Sequence, residues 1–308
     1  MLSRTAENLF WTARYLERAE AAARLIEMGR RMTLIPGPSR DEWRSVAAVA
    51  GAAHLFDEDE RITEARIVEK LVLCPDSPAS IRYCLNRARD SARAVRTSLT
   101  AEMWEALNDG WRRLEIADPN VALRELPALL DWVKTRASIF RGASEASMLR
   151  TDRYYFLRIG GFLERSELTL RLLDVKYFVL LPETETVGGG RDHHQWTSVL
   201  QATSASRAYH HVYRGDFSPW KITDFLILNL RFPRSVAYCY TELSRYLGLL
   251  ALAYGQRNQC HSLAGEMVAR LADTEMGELF QSGLHEFTTE ALRHNARLSA
   301  AISRAYYF

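Results

Sequence analysis

The chain has 308 residues, 47% of them apolar and 25% charged, with 40 lysines and arginines against 38 aspartates and glutamates. That length suits one large domain or two of ordinary size, with enough apolar material for a real core. A net charge of +2 gives no general reason to expect nucleic acid or an anionic membrane as partner.

Helical periodicity dominates and no run alternates as a strand does, so the expected fold class is all-α. Ser3 or Thr5 caps a first helix that runs to about Met32 and is broken by Ile35-Pro36-Gly37-Pro38-Ser39. Further helices are predicted from about Asp41, over 62–73, and over a long stretch, 79–108, that Pro78 opens. Helices then fill 121–148, and Thr151-Asp152 opens one that reaches about Tyr177. The stretch from Pro182 to Gly190 is the most loop-like in the chain. Beyond it the periodicity predicts helices near 194–211, 221–230, 234–254, 259–272 and 276–305, with breaks at Pro219 and Pro233.

Cys74, Cys84, Cys239 and Cys260 form no Cys-x-x-Cys pair, which argues against a disulfide framework or zinc ribbon and for reduced thiols. The N-terminus carries Glu7 with no long apolar stretch behind it, unlike a signal peptide. The most apolar run, Leu247 to Ala253, falls far short of the ~20 residues that cross a bilayer. These features point to a cytoplasmic protein.

The chain also matches itself. Leu16-Glu17-Arg18-Ala19-Glu20 through Arg24-Leu25 shares the frame LERxExxxRL with Leu163-Glu164-Arg165-Ser166-Glu167 through Arg171-Leu172, offset by 147. Trp43-Arg44-Ser45-Val46 pairs with Trp196-Thr197-Ser198-Val199, offset by 153, and Pro78 through Tyr83-Cys84 pairs with Pro233 through Tyr238-Cys239, offset by 155. Three matches in preserved order imply a duplication. The expected architecture is a multi-helix bundle of two repeats, 1–148 and 149–308, related by a pseudo-twofold axis and packed as one globular unit.

On a helical wheel Leu2, Ala6, Leu9, Ala13 and Leu16 form an apolar stripe, and Glu20 falls inside it, with Glu17 and Arg24 alongside. Phe156, Gly160 and Leu163 repeat the stripe around Glu167, flanked by Glu164 and Arg171. Buried carboxylates are costly unless paired, and a Glu-to-Arg spacing of four residues supplies one pair per helix. Arg18 and Arg165 are then available to Glu17 and Glu164 across the axis. The candidate polar cluster is therefore Glu17, Arg18, Glu20, Arg24, Glu164, Arg165, Glu167 and Arg171. It is either a ligand site or a salt-bridge lattice that fixes how the repeats cross.

No metal is expected. The frame is Glu-x-x-Glu with no histidine following, whereas di-metal bundles use Glu-x-x-His. His193-His194 and His210-His211 are adjacent pairs whose side chains diverge on a helix, and Glu286, Glu290 and His294 share a face that reads as solvated. Gly188-Gly189-Gly190-Arg191 lacks a P-loop ending, and no nucleophile motif or cofactor fingerprint is present.

The opening Met1-Leu2-Ser3-Arg4-Thr5-Ala6-Glu7-Asn8-Leu9-Phe10-Trp11, followed by Arg14-Tyr15-Leu16-Glu17-Arg18-Ala19-Glu20, closely resembles the bacterial alpha-E domain family. So do Phe156 to Gly160 with Leu163-Glu164-Arg165, Trp196 through Tyr209, Tyr213-Arg214 and Phe232-Pro233-Arg234-Ser235. The resemblance implies an all-helical protein encoded beside circularly permuted ATP-grasp proteins and transglutaminase-like proteases, and hence a role in an amide-forming or peptide-modifying system. It carries no catalytic residue over. With no nucleotide motif in this chain, ATP would belong to the ATP-grasp partner. The expected function is a helical partner or substrate-binding subunit of such a system, with a small peptide or amino acid as ligand. Two other readings stand beside it: an enzyme using the Glu/Arg cluster for acid–base chemistry on an amide, and a purely structural adaptor.

Overall fold

A computed structural model describes residues 3–33, 42–178 and 190–308, and among them every regular element is helical. The breaker Ile35 to Ser39 and most of the Pro182–Gly190 loop lie outside the described residues. The chain divides into two compact units, Met1–Gly161 and Phe162–Phe308, the division falling within one helix.

The first unit contains α1 (Ser3–Thr33), α2 (Glu42–Val49), α3 (Glu64–Ile67) running into a π-helical turn Val68–Leu73, α4 (Ile81–Ala94), α5 (Ala101–Glu115), α6 (Pro119–Arg124), α7 (Leu126–Ser147) and the start of α8 (Asp152–Phe178). Helix α1 is central, packing on α4 and α7, while α5 bridges α4 and α7. The alanines at 19, 21, 22 and 23 are buried, so α1 turns small side chains to neighbours on more than one side and lets them approach closely. Leu9, Leu16, Ile26, Leu85, Leu107, Val133 and Phe140 supply the bulk of this core.

The second unit completes α8 and adds α9 (Gly190–Ala202), α10 (Ser206–Tyr213), α11 (Pro219–Leu228), α12 (Val236–Tyr254), α13 (Gln259–Asp273), α14 (Met276–Ser282) and α15 (Leu284–Tyr306). Helix α13 lies against both α12 and α15. Tyr209, Tyr213, Phe225 and Phe232 form an aromatic cluster beside α10 and α11.

Three predicted helices break where local chemistry offers the backbone an alternative. The long 79–108 helix ends at Ala94, and Thr100 restarts it as α5 by accepting a hydrogen bond from the Met103 amide. Val95, Thr97, Ser98 and Thr100 are residues that lose side-chain freedom in a helix or cap one instead. The 194–211 helix divides at Ser204, which has φ 57°, and the 276–305 helix divides at Gly283, which has φ 102°.

The same local geometry occurs in each unit. Ser80 caps α4 by accepting from the Tyr83 amide and donates its hydroxyl to the Cys74 carbonyl; Ser235 caps α12 from the Tyr238 amide and donates to the Asn229 carbonyl. The turn after α2 closes through Ala50 to Val46, Gly51 to Ala48 and Ala52 to Ala47; the turn after α9 closes through Thr203 to Val199, Ser204 to Gln201 and Ala205 to Leu200.

No helix among the described residues is long and apolar enough to cross a membrane. All four cysteines are free; Cys84, Cys239 and Cys260 are buried, and Cys74 is partly exposed. Burial pushes the Cys260 thiol up to about 11, so it is protonated and unreactive at neutral pH. A thiol reagent such as DTNB is therefore expected to label one cysteine, Cys74, in the native protein and four after denaturation. Rapid native labelling of a second thiol would contradict the burial described here.

Candidate functional site

Glu20 sits on the buried face of α1, four residues beyond Leu16, and is sealed from solvent (0% exposed). A carboxylate so placed survives only with charged partners. Its Oε1 accepts from Arg24 Nε (3.0 Å) and Nη2 (2.6 Å), the pair expected from the four-residue spacing. Its Oε2 accepts from Nη1 of Arg141 on α7, and the same Nη1 donates to Oε1 of the buried Glu17 (3.1 Å). Two carboxylates and two guanidinium groups thus meet in one network between α1 and α7.

Arg141 was not among the residues singled out from sequence, because helix-wheel reasoning treats one helix at a time. A signal exists nonetheless. Glu20 and Glu27 are seven residues apart on α1, and Lys134 and Arg141 are seven apart on α7. Glu27 Oε2 accepts from Lys134 Nζ at 2.7 Å, so the two helices pair antiparallel, 20 with 141 and 27 with 134. Complementary charges at heptad spacing on two helices are the trace such pairing leaves in a sequence.

Arg24 carries the network to the surface. Together with Asp131, Lys134, Thr135, Ser138 and Ile139 it lines an open groove of about 550 Å³ beside α7. Lys134 is steered by Asp131 (2.7 Å) as well as by Glu27. The groove therefore presents a guanidinium, an ammonium, a carboxylate and two hydroxyls next to one apolar side chain. Arg18, also in the candidate cluster, is half-buried with its guanidinium 5.8 Å from the centre of the Tyr15 ring.

The second unit builds a different version. Glu167 Oε1 accepts from Arg171 Nε (3.1 Å) and Nη2 (2.8 Å), repeating the Glu20–Arg24 pair, but the pair is more open, with Glu167 21% and Arg171 39% exposed. Where α7 offers Arg141, α15 offers Asn295. Its Nδ2 donates to the Leu163 carbonyl (3.3 Å) and to Glu167 Oε2 (3.5 Å), and its Oδ1 accepts from Ser166 Oγ and Tyr240 OH, both at 3.1 Å. Burial holds the Tyr240 phenol protonated well above the usual tyrosine range, so it remains a donor. Asp174, offset by 147 from Glu27, accepts from His285 Nδ1 (2.7 Å) and Thr288 Oγ1 (2.8 Å). Glu164 and Arg165 are both buried; Arg165 reaches the Pro233 carbonyl (3.4 Å) and lies 5.3 Å from the Phe162 ring centre.

His193, His194, His210, His211, Glu286 and Glu290 are exposed, but His294 is not on the solvated face expected for it, because α15 turns it toward α13. His294 is buried, with Nε2 against the Leu263 carbonyl (2.8 Å), and Glu290 is held below the usual carboxylate range by its hydrogen bond from Arg270. Among the described residues no group of three or more His, Cys, Asp or Glu side chains is arranged to hold a metal ion.

The chain is similar to uncharacterized proteins of Mycobacterium bovis (Mb2597) and Mycobacterium tuberculosis (Rv2567), each 26% identical over 94% of this chain. It spans about a third of the length of these curated relatives, 35% of each. No solved structure matches it. A family model described as a predicted alpha-helical domain with a conserved ER motif matches residues 1–307, and Glu17-Arg18 and Glu164-Arg165 are the Glu-Arg pairs that stand in the repeated frame. The chain belongs to the Alpha-E family.

Proposed function

We propose that the chain is a helical binding subunit of an amide-forming system, which holds an amino acid or short peptide for an ATP-grasp ligase that supplies the ATP chemistry. The observation that carries this reading is the Glu17–Glu20–Arg24–Arg141 network ending at the Arg24–Lys134 groove. Both Glu20 oxygens accept guanidinium hydrogen bonds, so the carboxylate is committed to aiming Arg24 rather than to moving a proton. A fixed guanidinium matches a planar carboxylate bidentately. Asp131 beside it suits an ammonium or amide N–H. Such a pairing of charges fits a zwitterionic or peptide ligand better than a polyanion.

The test is reconstitution with a circularly permuted ATP-grasp protein of the same genome, following ATP-dependent phosphate release with amino-acid acceptors. The chain is expected to co-purify with that protein and to raise its turnover, and Lys134→Gln is expected to raise KM for the acceptor while leaving the complex intact. No complex and unchanged turnover would overturn the proposal. Turnover by this chain alone, abolished by Glu20→Gln, would favour acid–base catalysis instead.

A further inference from the structure

Helix α4 carries a second organised set of charges that the groove does not use. Between residues 81 and 96 five arginines stand against one aspartate. Three of them, Arg82, Arg89 and Arg93, fall on one stripe of α4, within about 40° of each other, and Arg96 follows in the turn Arg96–Ser98 beyond the helix end at Ala94. Trp104 and Trp111, seven residues apart on α5, share a face. Arg96 lies 5.3 Å and Arg89 5.8 Å from the centre of the Trp104 ring, and Arg89 lies 3.8 Å from the centre of the Trp111 ring. The result is a ladder in the order Arg96, Trp104, Arg89, Trp111, with both indoles only partly buried.

The second unit packs a similar helix pair without such a ladder. Helices α12 and α13 of the second unit pack together as α4 and α5 do, with matching buried positions: Leu85, Ala88 and Ala92 against Tyr240, Leu243 and Leu247. At the ladder positions the second unit has Ser244 for Arg89, Ala251 for Arg96, His261 for Trp104 and Val268 for Trp111. The helix pair there packs without guanidinium or indole, with buried His261 against the Leu247 carbonyl instead.

We propose that the arginine–tryptophan face of α4 and α5 is a docking surface for an acidic segment of a protein partner. Arg93 and Arg96 are exposed, and their guanidinium groups make no hydrogen bond or ion pair among the described residues. Stacking on an indole fixes a guanidinium plane and leaves its edge donors outward, which lowers the ordering cost of binding a carboxylate. Tryptophan and arginine are also the residues that most often carry interface energy. The stripe from Arg82 to Arg93 is about 17 Å long at 1.5 Å per residue, with Arg96 beyond its end, room for a few turns of helix or a short extended peptide. Glu102, Glu105 and Asp109 are exposed on the flank of α5 away from Trp104 and Trp111, with Asp109 paired to Arg136 of α7. This surface is independent of the groove beside Arg24.

The probe is a fluorescein-labelled peptide of glutamate and alanine, titrated with the full chain at low salt and read by anisotropy. Single-stranded oligo-dT and phosphatidylglycerol vesicles are run in parallel. The peptide is expected to bind most tightly, and Arg93→Glu with Arg96→Glu is expected to weaken it about tenfold or more. An equal charge reversal in the second unit, Arg231→Glu with Arg257→Glu, should leave it within about twofold, since it removes no arginine of the ladder. Trp111→Leu, which changes no charge, should weaken it several-fold by releasing Arg89, with the melting temperature reported alongside. The proposal is overturned by absence of peptide binding, by equal losses from both charge reversals, or by tighter binding of oligo-dT or vesicles.

Discussion

Changing Glu20 to alanine is expected to destabilise the first unit by about 3 kcal/mol, the lower end of the range for breaking a buried ion pair. The lower end applies because neither orphaned partner is stranded completely. Arg24 is 16% exposed and reaches the groove, and Arg141 is 23% exposed and keeps Glu17. In a unit of this size that loss corresponds to roughly 6–12 °C in melting temperature. Replacing Glu20 by Met and Arg24 by Leu together is expected to cost much less, since two desolvation penalties disappear and Arg141 remains paired with Glu17. The double variant separates the roles. If it is stable yet no longer raises ligase turnover, the network is a working site; if it is stable and active, the charges only fix how α1 meets α7. The equivalent change Glu167→Ala is not expected to behave alike. Its pair with Arg171 is partly exposed, Glu167 at 21% and Arg171 at 39%, so both groups keep some hydration and the loss is expected to be smaller than for Glu20→Ala. A loss from Glu167→Ala as large as that from Glu20→Ala would mean that the burial assigned to the two pairs is wrong.

The helical class was legible because burial imposes a 3.6-residue period wherever a helix packs, and the cap residues Ser80, Thr100, Asp118, Ser218 and Ser235 mark where helices begin. The breaks inside the longest predicted helices were less legible. A break at Val95 or Ser204 depends on a small preference summed over a few residues, and the periodic pattern continues across it. In the candidate cluster the i to i+4 pairs Glu20–Arg24 and Glu167–Arg171 could be read from spacing alone, because both partners lie on one helix. Arg141 is not reached by reading one helix at a time, since 121 residues separate it from Glu20; its only trace is the matched heptad spacing of charges on α1 and α7. The inequality of the two clusters was hidden for the same reason. The LERxExxxRL frames are alike, and the difference lies in what the opposing helix offers, Arg141 and Lys134 in α7 but Asn295 and Thr288 in α15.

Two adjacent glycines on α8 provide a sharper test of how tightly α1 is held. A Cβ placed on Gly160 would sit 2.2 Å from the Phe10 carbonyl oxygen, 3.0 Å from its carbon and 3.2 Å from its Cα. All three atoms are backbone, so no rotamer change relieves the overlap; α1 or α8 has to move. Helix α1 is gripped by α4 and α7 and cannot shift without opening the core around Leu9 and Phe10. Gly160→Ala is therefore expected to cost about 3 kcal/mol or more, at or beyond the upper end of ordinary overpacking. Gly161 has the same helical backbone and the opposite surroundings. Its added Cβ would meet Glu17 Cγ at 3.8 Å, ordinary contact, and would only remove the flexibility that glycine confers on the unfolded chain. Gly161→Ala is expected to stabilise the protein by about 0.5–1 kcal/mol. Chemical denaturation of the two variants beside the parent chain decides the matter. Opposite signs support a helix crossing in which backbone touches backbone at Gly160, while two changes of the same sign would show that α8 does not meet α1 there. Since α1 also carries Glu17 and Glu20, the shift forced by Gly160→Ala should pull both carboxylates away from Arg141, so stimulation of the ligase should fall in that variant and persist in Gly161→Ala.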